Sequence, residues 1–161
     1  MRPTIAAVAL LSALAACGQQ RGQNQDSSNV EQVRADVQNA VRAYVDAINR
    51  ADVSAFVELY SRDPRVTSVE DGNITRGWDR IRSENDSILT GLQGRVQANL
   101  GSVDVVPLGS QHALALAPYV LNVQTQNGVA QVRGAISLVL QRGDSAWKII
   151  HEHSSTGRNA R

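Results

Sequence analysis

The sequence predicts an α+β fold, a cone-shaped roll in which a curved, mostly antiparallel sheet packs against three N-terminal helices. Three observations carry this. Residues 30–92 hold apolar side chains at helical spacing in three segments, and residues 96–154 are a succession of β-rich runs. Gln126-Asn127-Gly128 joins the two longest runs, and Asn-Gly between such runs is a strong hairpin signal.

The elements follow in order. Val30, Val33, Val37, Val41, Tyr44, Val45 and Ile48 recur at spacings of three and four, which predicts an amphipathic helix over 30–50. Valine is a mediocre helix former, so packing must hold this helix. Asp52 is an N-cap for a short second helix carrying Val53, Phe56, Val57 and Tyr60, which Asp63-Pro64 ends. Arg65–Glu70 reads as a strand that turns at Asp71-Gly72-Asn73 into Ile74-Thr75. A third helix spans about 77–91, its inner face carrying Trp78, Ile81, Asn85, Ile88 and Leu92. Val96, Ala98 and Leu100 alternate, Val103 and Val105 continue on the opposite parity, and the slip at Gly101-Ser102 predicts a bulge. Ala113–Thr125 and Val129–Gln141 are long strands, and Ala146–Ser154 is the last. Together residues 30–157 suit one domain with one core, and residues 158–161 are expected to fray.

The N-terminus has its own pattern. Arg2 precedes an apolar stretch, Ile5–Ala16, of 12 residues, the length of a signal-peptide core and short of the roughly 20 residues a spanning helix needs. Residues 1–16 are therefore expected to be a signal peptide. Leu14-Ala15-Ala16-Cys17 resembles the lipobox of bacterial lipoproteins. The resemblance implies lipid attachment at Cys17 and cleavage before it. Gly18 stands where an inner-membrane retention signal would place Asp, so the resemblance implies the periplasmic side of the outer membrane if the envelope is Gram-negative. Cys17 is the only cysteine, so no intramolecular disulfide can form. Gly18–Asn29 has no apolar residue, and residues 17–29 are expected to be a lipidated Cys and a disordered tether. Without residues 1–16 the chain has 15 basic and 15 acidic side chains, a balance that gives no footprint for nucleic acid.

Several segments carry a family resemblance: Ala43-Tyr44-Val45-Asp46-Ala47-Ile48-Asn49 with Asp52, Tyr60…Asp63-Pro64, Gly77-Trp78-Asp79-Arg80-Ile81, and Trp147-Lys148-Ile149-Ile150-His151-Glu152-His153-Ser154. Their order resembles the SnoaL-like, ketosteroid isomerase-like branch of the nuclear transport factor 2-like superfamily. That fold hosts enzymes, binders and assembly modules, so it does not settle function. In ketosteroid isomerases a tyrosine and a neutral carboxylic acid hold an oxyanion while an Asp moves the proton. By the resemblance Tyr44 matches the tyrosine, the base position falls near Ser68 and the second acid near Ser137. Neither serine is a carboxylate, and Glu70 lies two residues off the base position.

His151 and His153 share one face of the last strand with Trp147 and Ile149, so they are expected to point into the cone, with Glu152 outward beside Lys148 and Ile150. Hydrogen-bonded structural histidines are the preferred reading, and acid–base catalysis or metal binding are alternatives. His112 is the only other histidine, so no metal or other cofactor is expected. Asn85 either holds a ligand or caps a strand end. The pocket-lining candidates are Tyr44, Tyr60, Trp78, Asn85, Tyr119, His151 and His153. The favoured function is a membrane-tethered domain binding a small hydrophobic or aromatic molecule. The alternatives are a homodimerising assembly module using the sheet face, and an isomerase- or cyclase-type enzyme using Tyr44 with His151 or His153.

Overall fold

Helix α1 runs over Ala16–Asn49 in the computed structural model, which describes residues 16–92 and 94–157. Val33, Val37, Val41, Tyr44 and Ala47, spaced by four and three, form its buried stripe. The helix starts earlier than its apolar pattern, so the backbone of Gly18–Asn29 is helical where a disordered tether was expected. This stretch has no proline and is rich in glutamine, a good helix former, so the helix anchored from Val33 propagates backward through it. Apart from Ala16, the expected signal peptide lies outside the described residues, as does the 158–161 tail. No helix among the described residues is long and apolar enough to cross a membrane.

α1 ends in a Schellman-type turn. The Asp52 amide donates to the Ala47 carbonyl and the Ala51 amide to the Ile48 carbonyl, each at 2.9 Å, and Ala51 takes the left-handed conformation (φ 50°). Asp52 then caps α2 (Val53–Val57), its side chain accepting from the Ala55 amide at 2.9 Å. The chain leaving α2 is pinned to the last strand: the Ser61 amide donates to the Ile149 carbonyl and the Ile149 amide to the Leu59 carbonyl, both at 2.8 Å. The turn between β1 (Thr67–Glu70) and β2 (Asn73–Arg76) places Asp71 and Gly72 at positive φ. That is the type I′ signature of a two-residue hairpin. α3 follows over Trp78–Leu92.

The remaining strands are β3 (Val96–Leu100), β4 (Asp104–Pro107), β5 (His112–Thr125), β6 (Gly128–Arg142) and β7 (Trp147–Thr156). The sheet has seven strands in the order β2-β1-β7-β6-β5-β3, with β4 also paired to β5. All pairings are antiparallel except β1 with β7. The slip expected as a bulge at Gly101-Ser102 is a break between two strands, β3 and β4, that both pair with β5. The Gly101 amide donates to the Pro118 carbonyl at 2.9 Å, and a Cβ there would lie 2.8 Å from the Pro118 ring. The chain can therefore turn against β5 only without a side chain.

The core fills the space between the helices and the concave sheet face, where Val37, Ile81, Leu138, Leu140 and Ile149 are buried. The convex face, expected as an assembly surface, carries Val106 and Leu116 at 46% and 43% exposure.

Candidate functional site

One residue sets the geometry of the site. In the pairing of β6 with β7, Val139 faces His151 and Leu140 faces Ile149, so Ile150 has no partner and forms a β-bulge. Trp147 and Ile149 point into the core before it. After it the alternation has slipped by one, and Glu152 and Ser154 face inward. The expectation that His151 and His153 point into the cone is therefore corrected. His151 lies on the other face, half-buried, with Nδ1 2.7 Å from Thr67 Oγ1, and His153 is exposed. Ser137 lies opposite His153, also away from the cone.

Glu152 is 6% exposed, the one buried charged residue among those described. Tyr44 of α1 donates its hydroxyl to Oε1 at 2.8 Å, and Tyr60, just after α2, donates its own to Oε2. The rings are held by packing: Tyr44 and Phe56 centroids are 5.0 Å apart, Phe56 and Tyr60 centroids 5.5 Å. A buried carboxylate without donors would be strongly destabilising, and the two hydroxyls offset part of that cost. Burial pushes the Glu152 carboxyl above its ordinary range; the Tyr60 and Tyr44 hydrogen bonds oppose the shift and the Glu70 charge adds to it. Burial, and then the Glu152 charge, push both tyrosine hydroxyls well above their usual value.

This cluster lies in the wall of an open cavity of about 390 Å³. Ile81, Leu89 and Leu92 of α3, with Leu121 and Ile136 of the sheet, supply apolar walls. Ser68, Glu70, Asp71 and Glu84 add polar groups. The size and the mix of apolar wall with a few polar groups are those of small-molecule sites. Tyr119 of β5 also lines it, paired across the sheet with Gly134 of β6. A Cβ on Gly134 would lie 2.4 Å from the Tyr119 ring, so the glycine lets the ring lie flat on its neighbour.

Of the expected pocket residues, Tyr44, Tyr60, Asn85 and Tyr119 are brought together and Trp78, His151 and His153 are not. Asn85 lines the cavity, and its amide nitrogen donates to the Ile81 carbonyl of its own helix at 2.8 Å rather than to a strand end. Trp78 is core: its indole donates to the Val57 carbonyl at 2.9 Å, and the Arg62 guanidinium stacks 4.2 Å from the ring centroid. Glu152 was the residue missed. The adjacent isoleucines Ile149-Ile150, which break the alternation of β7, were the available signal. Among the described residues no group of three or more His, Cys, Asp or Glu is placed to hold a metal ion.

A family model described as a SnoaL-like domain matches residues 37–158. Among solved structures, a nuclear transport factor 2-like superfamily protein from Salmonella enterica serovar Typhimurium is similar with a TM-score of 0.73 at 17% identity, covering 82% of this chain and 96% of that one. A candidate dehydratase of the same family from Streptomyces avermitilis gives 0.72 at 18%, covering 80% and 99%. A protein with a cystatin-like fold from Novosphingobium aromaticivorans gives 0.73 at 15%, covering 84% and 89%. No curated protein matches the chain.

Proposed function

We propose, for a chain that belongs to the SnoaL-like domain family, that the domain binds a small, largely apolar molecule in its cone, oriented by the Tyr44–Glu152–Tyr60 cluster. The observation that carries this reading is that the cone is open while a charged group is buried in its wall. A filled cone would leave no room for a ligand, and a purely structural core gains little from a buried carboxylate. A thermal-shift screen of apolar and aromatic compounds tests it. A ligand at 100 times its Kd stabilises by about 2.7 kcal/mol, so the expected result is a saturable rise in Tm. A flat response across the screen overturns the reading.

The domain works at an envelope membrane in this proposal, held by lipid on Cys17 at the periplasmic side of an outer membrane. The support is the lipobox-like Leu14-Ala15-Ala16-Cys17 and the neutral charge of the chain beyond it. Cys17→Ala should move the protein from the membrane to the soluble fraction; unchanged fractionation contradicts the anchor.

One observation favours catalysis as a second reading. Carboxylates do reach the cone, Glu152 from β7 and Glu70 from β1, although Ser68 and Ser137 stand where the ketosteroid isomerase-like pattern would have them. In that reading Glu70 takes a proton from a carbon beside a carbonyl and returns it, while Glu152 is protonated, so that a Tyr44 or Tyr60 hydroxyl is released from it to donate to the oxyanion. Deuterium should then enter a bound carbonyl compound from D2O, and Glu70→Gln should abolish this. Binding without deuterium incorporation rules the reading out and leaves the binding proposal standing.

A further inference from the structure

Building on the binding proposal, we infer that the cone selects an amphipathic organic cation: a protonated amine carried on an apolar or aromatic body. Among the described residues the cavity lining contains four carboxylates, from Glu70, Asp71, Glu84 and Glu152, and no Lys, Arg or His. Two of the four are occupied elsewhere. Asp71 accepts from the Thr156 amide at 2.7 Å and from its hydroxyl, and so ties β1 to β7. Glu84 accepts from the Thr75 hydroxyl and lies 3.8 Å from Arg80.

Glu70 and Glu152 are different. The Glu70 side chain makes no hydrogen bond or ion pair among the described residues and stands at the exposed end of the cavity wall. Glu152 is deep, and its carboxylate offers about four acceptor positions, of which Tyr44 and Tyr60 fill two. In the parallel pairing Ser68 faces Glu152 and Glu70 faces Ser154. Glu70 is thus one strand over and two residues along from Glu152 on the same face, with Cα atoms about 8 Å apart by strand geometry. A compact ammonium between them would receive acceptors from both, in a space whose walls keep the surrounding dielectric low. The aromatic ring of Tyr119 at the wall adds a second group that favours cations. An anion of the same shape would meet carboxylates and no cationic side chain among the described residues. The apolar body would rest on Ile81, Leu89, Leu121 and Ile136.

Three probes with one body separate the charge from the shape: 1-naphthylmethylamine, 1-naphthylmethanol and 1-naphthoate, titrated into the full chain by calorimetry. The expected result is binding of the amine at least about tenfold tighter than the alcohol, with no measurable binding of the carboxylate. Glu70→Gln, at an exposed position, should cut the preference for the amine at least about threefold. Glu152→Gln should reduce it further, and circular dichroism establishes that this variant is folded. Equal affinity for amine and alcohol overturns the cation selectivity and leaves the cavity a binding site. If none of the three binds and the compound screen is also flat, the binding proposal itself fails.

Discussion

Glu152 concentrates the chemistry of the site, and its titration has a sign that can be worked out. Burial raises its pKa above the ordinary 4.5, so the folded chain holds this proton more tightly than the unfolded chain does. The resulting contribution to stability is fully present below about pH 4.5 and is lost as pH rises through the folded pKa. Glu152→Gln removes that dependence and keeps an acceptor oxygen for one tyrosine. Urea unfolding of both proteins between about pH 4 and 8 should show the wild type losing stability relative to the variant as pH rises. Parallel curves would mean that Glu152 does not titrate differently on folding. Tyr44 and Tyr60 lie 16 residues apart in the sequence and look there like two core aromatics. What joins them is a carboxylate more than 90 residues further on, which no local pattern reveals.

The turn between the first two helices stores a measurable defect. Ala51 occupies the left-handed position of a Schellman turn, where an L side chain is disfavoured and glycine is not. Ala51→Gly should therefore stabilise the domain by about 1 kcal/mol, read as a higher urea midpoint with unchanged slope. No change would mean that the added freedom of the unfolded chain cancels the relief. Element order was legible because each element carries its own period: the Val33–Val41 stripe, the Asp52 cap, the Asn127-Gly128 turn. The facing of β7 was not. Trp147 and Ile149 set one parity, and the bulge at Ile150 reverses it through pairing with β6, an interaction between strands rather than within one. The same limit applies to α1, whose polar N-terminal turns carry no apolar period to mark them.

At the scale of the whole molecule, α1, the α2 region, α3 and six strands, β1, β2, β3, β5, β6 and β7, converge on one cavity. The cone was foreseeable from helices that must cover one face of a curved sheet; that it stays open was not, because a filled and an open cone share the same pattern. The open cone is what makes a binding function physically reasonable. The chain has three tyrosines, Tyr44, Tyr60 and Tyr119, and all three line the cavity. Its two tryptophans, Trp78 and Trp147, lie outside it. Ligand titration of protein carrying 13C-labelled tyrosine and 15N-labelled tryptophan therefore tests the central claim directly by NMR. The account predicts that an apolar or aromatic ligand shifts all three tyrosine ring resonances with one saturation curve and leaves both indole signals in place. Saturable binding that moves the indoles and leaves the tyrosines unchanged would contradict it.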